Sequence, residues 1–311
     1  VTSSTTRRSR ARRSRAAASV VGAALLLVGC ASPTSEPPPP APDRPQSTAV
    51  APQSNAIPLP AAPPGPPGLG FEGLDARMRQ ASADSGADIK AVVMDRTTGQ
   101  IISNGDNGPF PIASVVKLFI ADDLLLQVSQ GKTQLSPADR RSLDVMLRSS
   151  DDSAAQNFWD RSGGNAIIGR VVARYGLTGT TAPYNGHWDV TQSTAGDLVR
   201  YYDMLLDGTG GLPPEQADVI IGNLAQSTPT GTDGYPQRFG IPDGLYAEPV
   251  AVKQGWFCCW NGGNQLHVTT GVIGADHRYV MAIGSLDPTS EADARNDLTQ
   301  VVKEMFPGGK I

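Results

Sequence analysis

Ser114-Val115-Val116-Lys117-Leu118-Phe119-Ile120-Ala121-Asp122-Asp123-Leu124-Leu125-Leu126 is the stretch on which the reading of this 311-residue chain turns. Val115, Leu118, Phe119, Asp122, Leu125 and Leu126 recur at spacings of three and four, the pattern of a largely buried helix that ends near Gly131. Ser114 and Lys117 stand three apart at its start, so hydroxyl and amine share one face near the positive end of the helix dipole. A serine there needs a base before it can attack anything. Lysine serves if burial and a nearby cation lower its pKa, and Lys253 is a candidate for that cation. On its own S-x-x-K is common, and a capping serine followed by a solvated lysine is its ordinary meaning.

The sequence on either side supplies the frame. Ile89 to Asp95 and Ile101 to Ser103 are β-prone runs around the turn Thr97-Thr98-Gly99-Gln100, the pattern of a β-hairpin. Downstream, helical patterns over Pro137–Leu147, Ser153–Arg161, Asn165–Tyr175, Thr194–Leu206 and Pro214–Leu224 make the middle of the chain predominantly helical, with Gly or Pro in most gaps. After the loop Ser227–Pro249, strand-like stretches at Val250–Gln254, His267–Ile273 and Tyr279–Ile283 precede a final amphipathic helix, Ala292–Met305. Strands at both ends with helices between predict an α/β protein of the α+β kind. One antiparallel sheet is closed by the N- and C-terminal segments and carries an all-helical insertion.

Two further motifs change the meaning of Ser114-x-x-Lys117. Ser150-Asp151-Asp152 follows the first helix, and Lys253-Gln254-Gly255 falls on an expected strand. In order, the three resemble the S-x-x-K, S-D-N and K-T-G motifs of class A serine β-lactamases and penicillin-binding proteins. Gly163-Gly164 after the second motif and Ile241-Pro242-Asp243-Gly244 before the third extend the resemblance, which covers about residues 71–311. Lys117 to Leu126 and Tyr235-Pro236-Gln237-Arg238-Phe239-Gly240 are similar to a lipoprotein branch of that superfamily. The resemblance implies a β-lactamase-like fold in which an antiparallel sheet is flanked by helices. It implies Ser114 as acylated nucleophile, Lys117 as its base, Ser150 as proton relay, and Lys253 as support for the relay and partner of a substrate carboxylate. It also implies an oxyanion hole from the amides of Ser114 and Trp256, with Gly255 letting substrate lie close to the strand.

Three departures from the family pattern bear on activity. Asp152 stands where the family has Asn, and an ionised carboxylate only accepts hydrogen bonds, whereas the amide donates one to substrate. Penicillin-like side chains are expected to bind less well. Gln254 replaces Thr, keeping a donor for a carboxylate but adding bulk. Class A enzymes place a deacylating water with a Glu, and there is none between Ser162 and Arg200. Asp189 is the only acid from Tyr184 to Thr191, and in the family an Asp at that place holds a loop through an ion pair. The expectation is acylation with little hydrolysis: a serine hydrolase or acyltransferase acting on a cell-wall amide or ester, with β-lactam turnover weak or absent. Asp152, Gln254 and the missing Glu also leave open a binding module of the same fold that has lost turnover.

Composition sets the remaining bounds. Six arginines and no acids precede Cys30, so the rest of the chain carries 20 basic against 30 acidic residues, a net −10. A chain of that sign gains nothing from counterion release on nucleic acid. Arg7 to Arg15 followed by the uncharged run Ala16–Gly29 forms an export signal, too short to span a membrane, with Sec and twin-arginine routes both open. It ends Leu27-Val28-Gly29-Cys30, which resembles a lipobox. Residues 1–30 are therefore expected to be a lipoprotein signal peptide, with Cys30 lipidated and the protein anchored to the outer face of the cytoplasmic membrane. Fourteen of the 26 prolines fall between Cys30 and Gly70, marking 31–70 as a Pro/Ala-rich tether of up to roughly 120 Å and 71–311 as the folded domain. A peptidoglycan or other wall ligand is within its reach.

The remaining chemistry-bearing residues are fewer. Cys258 and Cys259 are adjacent, and neighbouring Cα atoms about 3.8 Å apart fall below the usual disulfide window. A vicinal disulfide and two free thiols both stay open. His187, His267 and His277 lack a G-x-S-x-G serine and any metal-ligand spacing, so no metal or cofactor is expected. Trp256 and Trp260 fit either a groove wall or packing.

Overall fold

The computed structural model describes residues 68–311; the signal peptide, Cys30 and nearly all of the tether lie outside the described residues. The chain enters through α1 (Leu74–Asp84) and the hairpin β1 (Asp88–Asp95) and β2 (Gln100–Ser103). Short β3 (Phe110–Pro111) leads through a 3₁₀ turn, Ala113–Val116, into α2 (Lys117–Ser129). Then come α3 (Pro137–Arg148), α4 (Asp152–Arg161), α5 (Asn165–Tyr175), a 3₁₀ turn at Trp188–Val190, β4 (Gln192–Ser193), α6 (Ala195–Asp207) and α7 (Pro214–Leu224). After the four-residue α8 (Ile241–Gly244), β5 (Val250–Trp260), β6 (Asn264–Ile273) and β7 (Tyr279–Asp287) run to the last helix, α9 (Glu291–Met305).

The main sheet has the order β2-β1-β7-β6-β5, every pair antiparallel, so the first hairpin closes on the last strand as the strand positions predict. Alternation along the strands builds a core on each face. Ile89, Ala91 and Val93 of β1 with Met281 and Ile283 of β7 pack beneath Leu74 and Met78 of α1 and Leu298, Val302 and Met305 of α9. Val92, Val280, Ala282 and Val268 face the other way, into the core shared with α2 to α7. α1 was not expected. Its apolar stripe, Leu74, Met78 and Ala81, is narrow, and the Gly- and Pro-rich segment just before it masks the period.

α2 runs through the middle of the helical part, every residue from Lys117 to Leu125 buried. Two of these are acids. Asp122 pairs with Arg174 and accepts from the Tyr175 hydroxyl, while Asp123 takes a two-pronged contact from Arg170 at 2.7 and 2.8 Å. The arginines both lie on α5, so these pairs fix α5 against α2 as well as neutralising the acids.

Candidate active site

The 3₁₀ turn before α2 carries Ser114. Its register is held from behind, where β3 pairs with β4 and the Ile112 N–H donates to the Thr191 carbonyl at 2.9 Å. In a 3₁₀ turn side chains at i and i+3 eclipse, which lays the Lys117 amine 2.7 Å from the Ser114 hydroxyl. This differs from the expected α-helical start, and the tighter winding makes the contact closer. Ala113 sits at φ 46°, a conformation that costs a residue with a side chain and that swings Ser114 out of line with the helix.

Ser150 occupies the turn between α3 and α4 at φ 58°, also left-handed. Asp151 caps α4 by accepting from the Ala154 amide at 2.7 Å, and Asp152 opens the helix. This turn delivers three acceptors to the two lysines. The Lys117 amine lies 2.6 Å from the Ser150 carbonyl, 3.3 Å from its hydroxyl and 2.5 Å from Asp152 Oδ1. From β5 the Lys253 amine donates to the Ser150 hydroxyl at 2.7 Å and to the Gln254 carbonyl at 2.8 Å. Ser114, Lys117, Ser150 and Lys253 thus form one continuous hydrogen-bonded chain.

Both amines are out of water: Lys117 is 0% and Lys253 1% exposed. Desolvation pushes both below the ordinary lysine value. For Lys117 the Asp152 carboxylate opposes that drop, by charge and by hydrogen bond. For Lys253 the positive charge of Lys117 adds to it, and the pKa falls far. As an ammonium Lys117 has three protons and finds three acceptors within 2.7 Å, Ser114 Oγ, Ser150 O and Asp152 Oδ1, with the Trp188 ring 4.9 Å away. Asp152 is therefore a counter-ion to Lys117, a role its sequence position did not reveal.

Ser114 opens into a cleft of about 370 Å³ lined by Ala113, Asp152, Gln156, His187, Trp188, Asp189, Asp233, Trp256 and Phe257. Of the two readings open for Trp256, groove wall or packing, the structure shows it in the cleft lining. Its indole stacks on Tyr235 at 4.6 Å and its N–H donates to Asp233 at 3.3 Å. β5 is the edge strand of the main sheet, with no strand paired on its outer side. Asp189 lines the same cleft and forms no ion pair among the described residues, so the loop-holding pair implied by the family resemblance is not present here. Trp188, Gln156, His187 and Asp233 carried no motif. They arrive from loops and from α4, and only the fold assembles them.

Two expected binding residues are placed elsewhere. Gln254 is 1% exposed and donates to the carbonyls of Gln237 and Phe239 at 3.1 and 2.6 Å, so its amide is not offered to a substrate. Strand alternation is the cause: Ala251 and Lys253 face the helical part, while Val252 and Gln254 face the other core. Gly255 makes room for the protein itself, because a Cβ there would meet the Ile112 carbonyl at 2.6 Å and the Ser114 nitrogen at 3.2 Å. The absent side chain lets β5 approach the Ser114 turn, and the space ascribed to substrate is filled by that backbone.

Cys258 and Cys259 are joined as a vicinal disulfide on the exposed end of β5. Trp260 packs edge-on against Phe257 and is not in the cleft wall. His267 is buried and bonded to the Tyr235 hydroxyl at 2.6 Å; burial pushes its pKa down to about 3, which keeps it neutral. Among the described residues no group of three or more His, Cys, Asp or Glu side chains is arranged to hold a metal.

Comparisons with known proteins bear on the fold and the family. The profile of the Beta-lactamase enzyme family matches residues 73–139, which hold Ser114 and Lys117. Proteins of Mycobacterium tuberculosis and Mycobacterium bovis named as the lipoprotein LppW are 58% identical over 259 residues, 82% of this chain and 82% of theirs. A β-lactamase from Chitinophaga pinensis superposes with a TM-score of 0.60 at 16% identity, over 75% of this chain and 97% of that one. A class A β-lactamase from Mycobacterium abscessus gives 0.58 at 20% identity, over 74% and 97%. At such identities the structures speak for the fold, and the sequence relatives for the family. On both counts the chain belongs to the family of LppW, built on the class A β-lactamase fold.

Proposed function

We propose that this protein is a lipid-anchored envelope protein whose domain forms an acyl-serine intermediate with an amide or ester of the cell wall. The observation that carries the proposal is the unbroken chain of contacts from Ser114 Oγ through Lys117 and Ser150 to Lys253, each link at 3.3 Å or less. In the acylation step neutral Lys117 takes the Ser114 proton as Oγ bonds to the substrate carbonyl carbon. The proton passes through the Ser150 hydroxyl to the leaving nitrogen or oxygen as its bond to that carbon breaks. The family resemblance assigns the main-chain amides of Ser114 and Trp256 to the oxygen on which charge develops.

The cleft lining contains no Glu, and Lys117 is paired with Asp152 at rest. Acylation is accordingly slow at neutral pH, the acyl-enzyme is long-lived, and β-lactam turnover is weak or absent. Transfer to a second wall nucleophile or slow hydrolysis then completes the cycle. The test is stopped-flow acylation of the full-length protein by a p-nitrophenyl ester. Loss of the burst in both Lys117→Ala and Lys253→Ala supports the relay, and an undiminished burst in either removes that lysine from it.

Export and anchoring rest on the leader sequence, on Cys30 and on relatives that bear the name lipoprotein. Among the described residues no helix is long and apolar enough to cross a membrane. Labelled palmitate incorporated into the wild-type chain and absent from Cys30→Ala tests the anchor; equal labelling of both refutes it.

A further inference from the structure

The acyl-serine reading leaves the substrate's chemistry open, and the charge of the cleft narrows it. We infer that the cleft selects substrates carrying a cationic, ammonium-type group, seated beside Trp256 and Asp233, and that it disfavours anionic ones. The inference rests on the proposed acylation of Ser114.

Of the residues that line the cleft, three are carboxylates, Asp152, Asp189 and Asp233, and none is Lys or Arg. Among the described residues the cations nearest Ser114 are Lys117 and Lys253, both buried behind Ser114 and Ser150 with their protons directed to protein acceptors; Arg295, behind Tyr235 and on the far side of it from Trp256, is paired with Glu291. Even with both lysines counted as charged, the side chains around Ser114 sum to −1. The elements that would draw in a substrate carboxylate are otherwise committed: the Gln254 amide serves the carbonyls of Gln237 and Phe239.

The acids have different standings, and this locates the seat. Asp152 is taken up by Lys117. Asp233 is exposed and held in place by two donors, the Tyr235 amide at 2.9 Å and the Trp256 indole N–H at 3.3 Å, neither of which cancels its charge. Asp189, across the same cleft, has no cationic partner among the described residues. Trp256 lies stacked on Tyr235 at an interplanar angle of 10°. An aromatic wall flanked by unneutralised carboxylates is a favourable environment for an ammonium ion. A cleft lined by charge of one sign also concentrates ligands of the other, by about 10- to 1,000-fold.

The test uses three p-nitrophenyl esters with matched acyl chains ending in trimethylammonium, in tert-butyl, or in carboxylate. The first two share shape and differ in charge. Acylation rates of the full-length protein are divided by each ester's spontaneous hydrolysis rate. The expected ratio of cationic to neutral ester is about 10 or more at low salt, and the anionic ester lags the neutral one by a similar factor. The preference should shrink toward unity in molar salt, where the screening length falls to about 3 Å, and in Asp189→Asn/Asp233→Asn. A ratio of one or less in the wild type overturns the inference while leaving acylation standing. If no ester acylates Ser114, the proposed function fails, and the amides corresponding to the three esters, bound to Ser114→Ala and followed by NMR, decide the charge preference alone: tighter binding of the cationic amide supports it, equal or absent binding refutes it.

Discussion

Replacing Asp152 by Asn should move the pH dependence of acylation toward acid. Lys117 must lose a proton before it can accept one from Ser114, and the Asp152 carboxylate 2.5 Å from its amine opposes that loss. Two unit charges at this separation attract by about 1.7 kcal/mol in bulk water and more where solvent is scarce. The Asp152 side chain is 70% exposed, which keeps the effective value low, about 1.5–3 kcal/mol. At about 1.4 kcal/mol per pH unit, the midpoint of the rising limb falls by about 1–2 units. Below that midpoint the rate rises about 10- to 100-fold, because the neutral fraction of Lys117 grows tenfold per unit. The assay is the burst rate with a neutral p-nitrophenyl ester from pH 5 to pH 10. Asp152→Ala separates the loss of charge from any new hydrogen bond to substrate, since alanine removes the charge without adding a donor. A midpoint that stays within a few tenths of a unit of the wild type in both variants would refute the role of Asp152 as counter-ion to the base.

Other substitutions test the frame around the site. Gly255→Ala places a Cβ 2.6 Å from the Ile112 carbonyl and should cost about 1–3 kcal/mol in urea unfolding, along with most of the acylation burst; unchanged stability would show that β5 does not press on the nucleophile turn. Asp122→Ala leaves Arg174 without its counter-ion and the Tyr175 hydroxyl without its acceptor in the helical core and should cost about 3–5 kcal/mol, whereas a loss under 1 kcal/mol would mean the pair is not buried as described. Asp287 is buried with Oδ2 unpartnered; burial, then the charge of Asp297, pushes its pKa up to about 6. Its contribution is present below the unfolded value near 4 and is lost as pH rises through 6. Asp287→Asn should therefore be more stable than the wild type at pH 7.5 by about 1–3 kcal/mol, with no advantage at pH 4; equal unfolding midpoints at pH 7.5 would count against it.

The elements with strong period were legible in the sequence. The buried helix after Ser114, the helices of the middle and the closing strands all lie where periodicity puts them, because burial on one face leaves a regular trace. Ser114, Lys117, Ser150 and Lys253 were picked out in another way, by three motifs that resemble a family's in the same order, and the fold brings the four into one hydrogen-bonded chain. What was lost depended on three-dimensional approach. Asp152 could be compared only with the residue it replaces, and its partnership with Lys117 needs the Ser150 turn folded against α2. Asp233, Trp188 and Gln156 reach the cleft from separate segments with no spacing in common. Gln254 is a different case. The alternation that buries Val252 on the far side of the sheet from Lys253 applies equally to its neighbour, so its turn away from the cleft was readable once β5 was taken as a regular strand.

The measurement that bears most directly on the account is the intact mass of the full-length protein after exposure to the neutral p-nitrophenyl ester, beside Ser114→Ala. The proton chain from Ser114 to Lys253 predicts one added acyl group per wild-type molecule, located on Ser114 by peptide mapping, persisting for minutes or longer, and absent from the variant. No adduct in the wild type, or an equal adduct in Ser114→Ala, would contradict the claim that this serine is a working nucleophile.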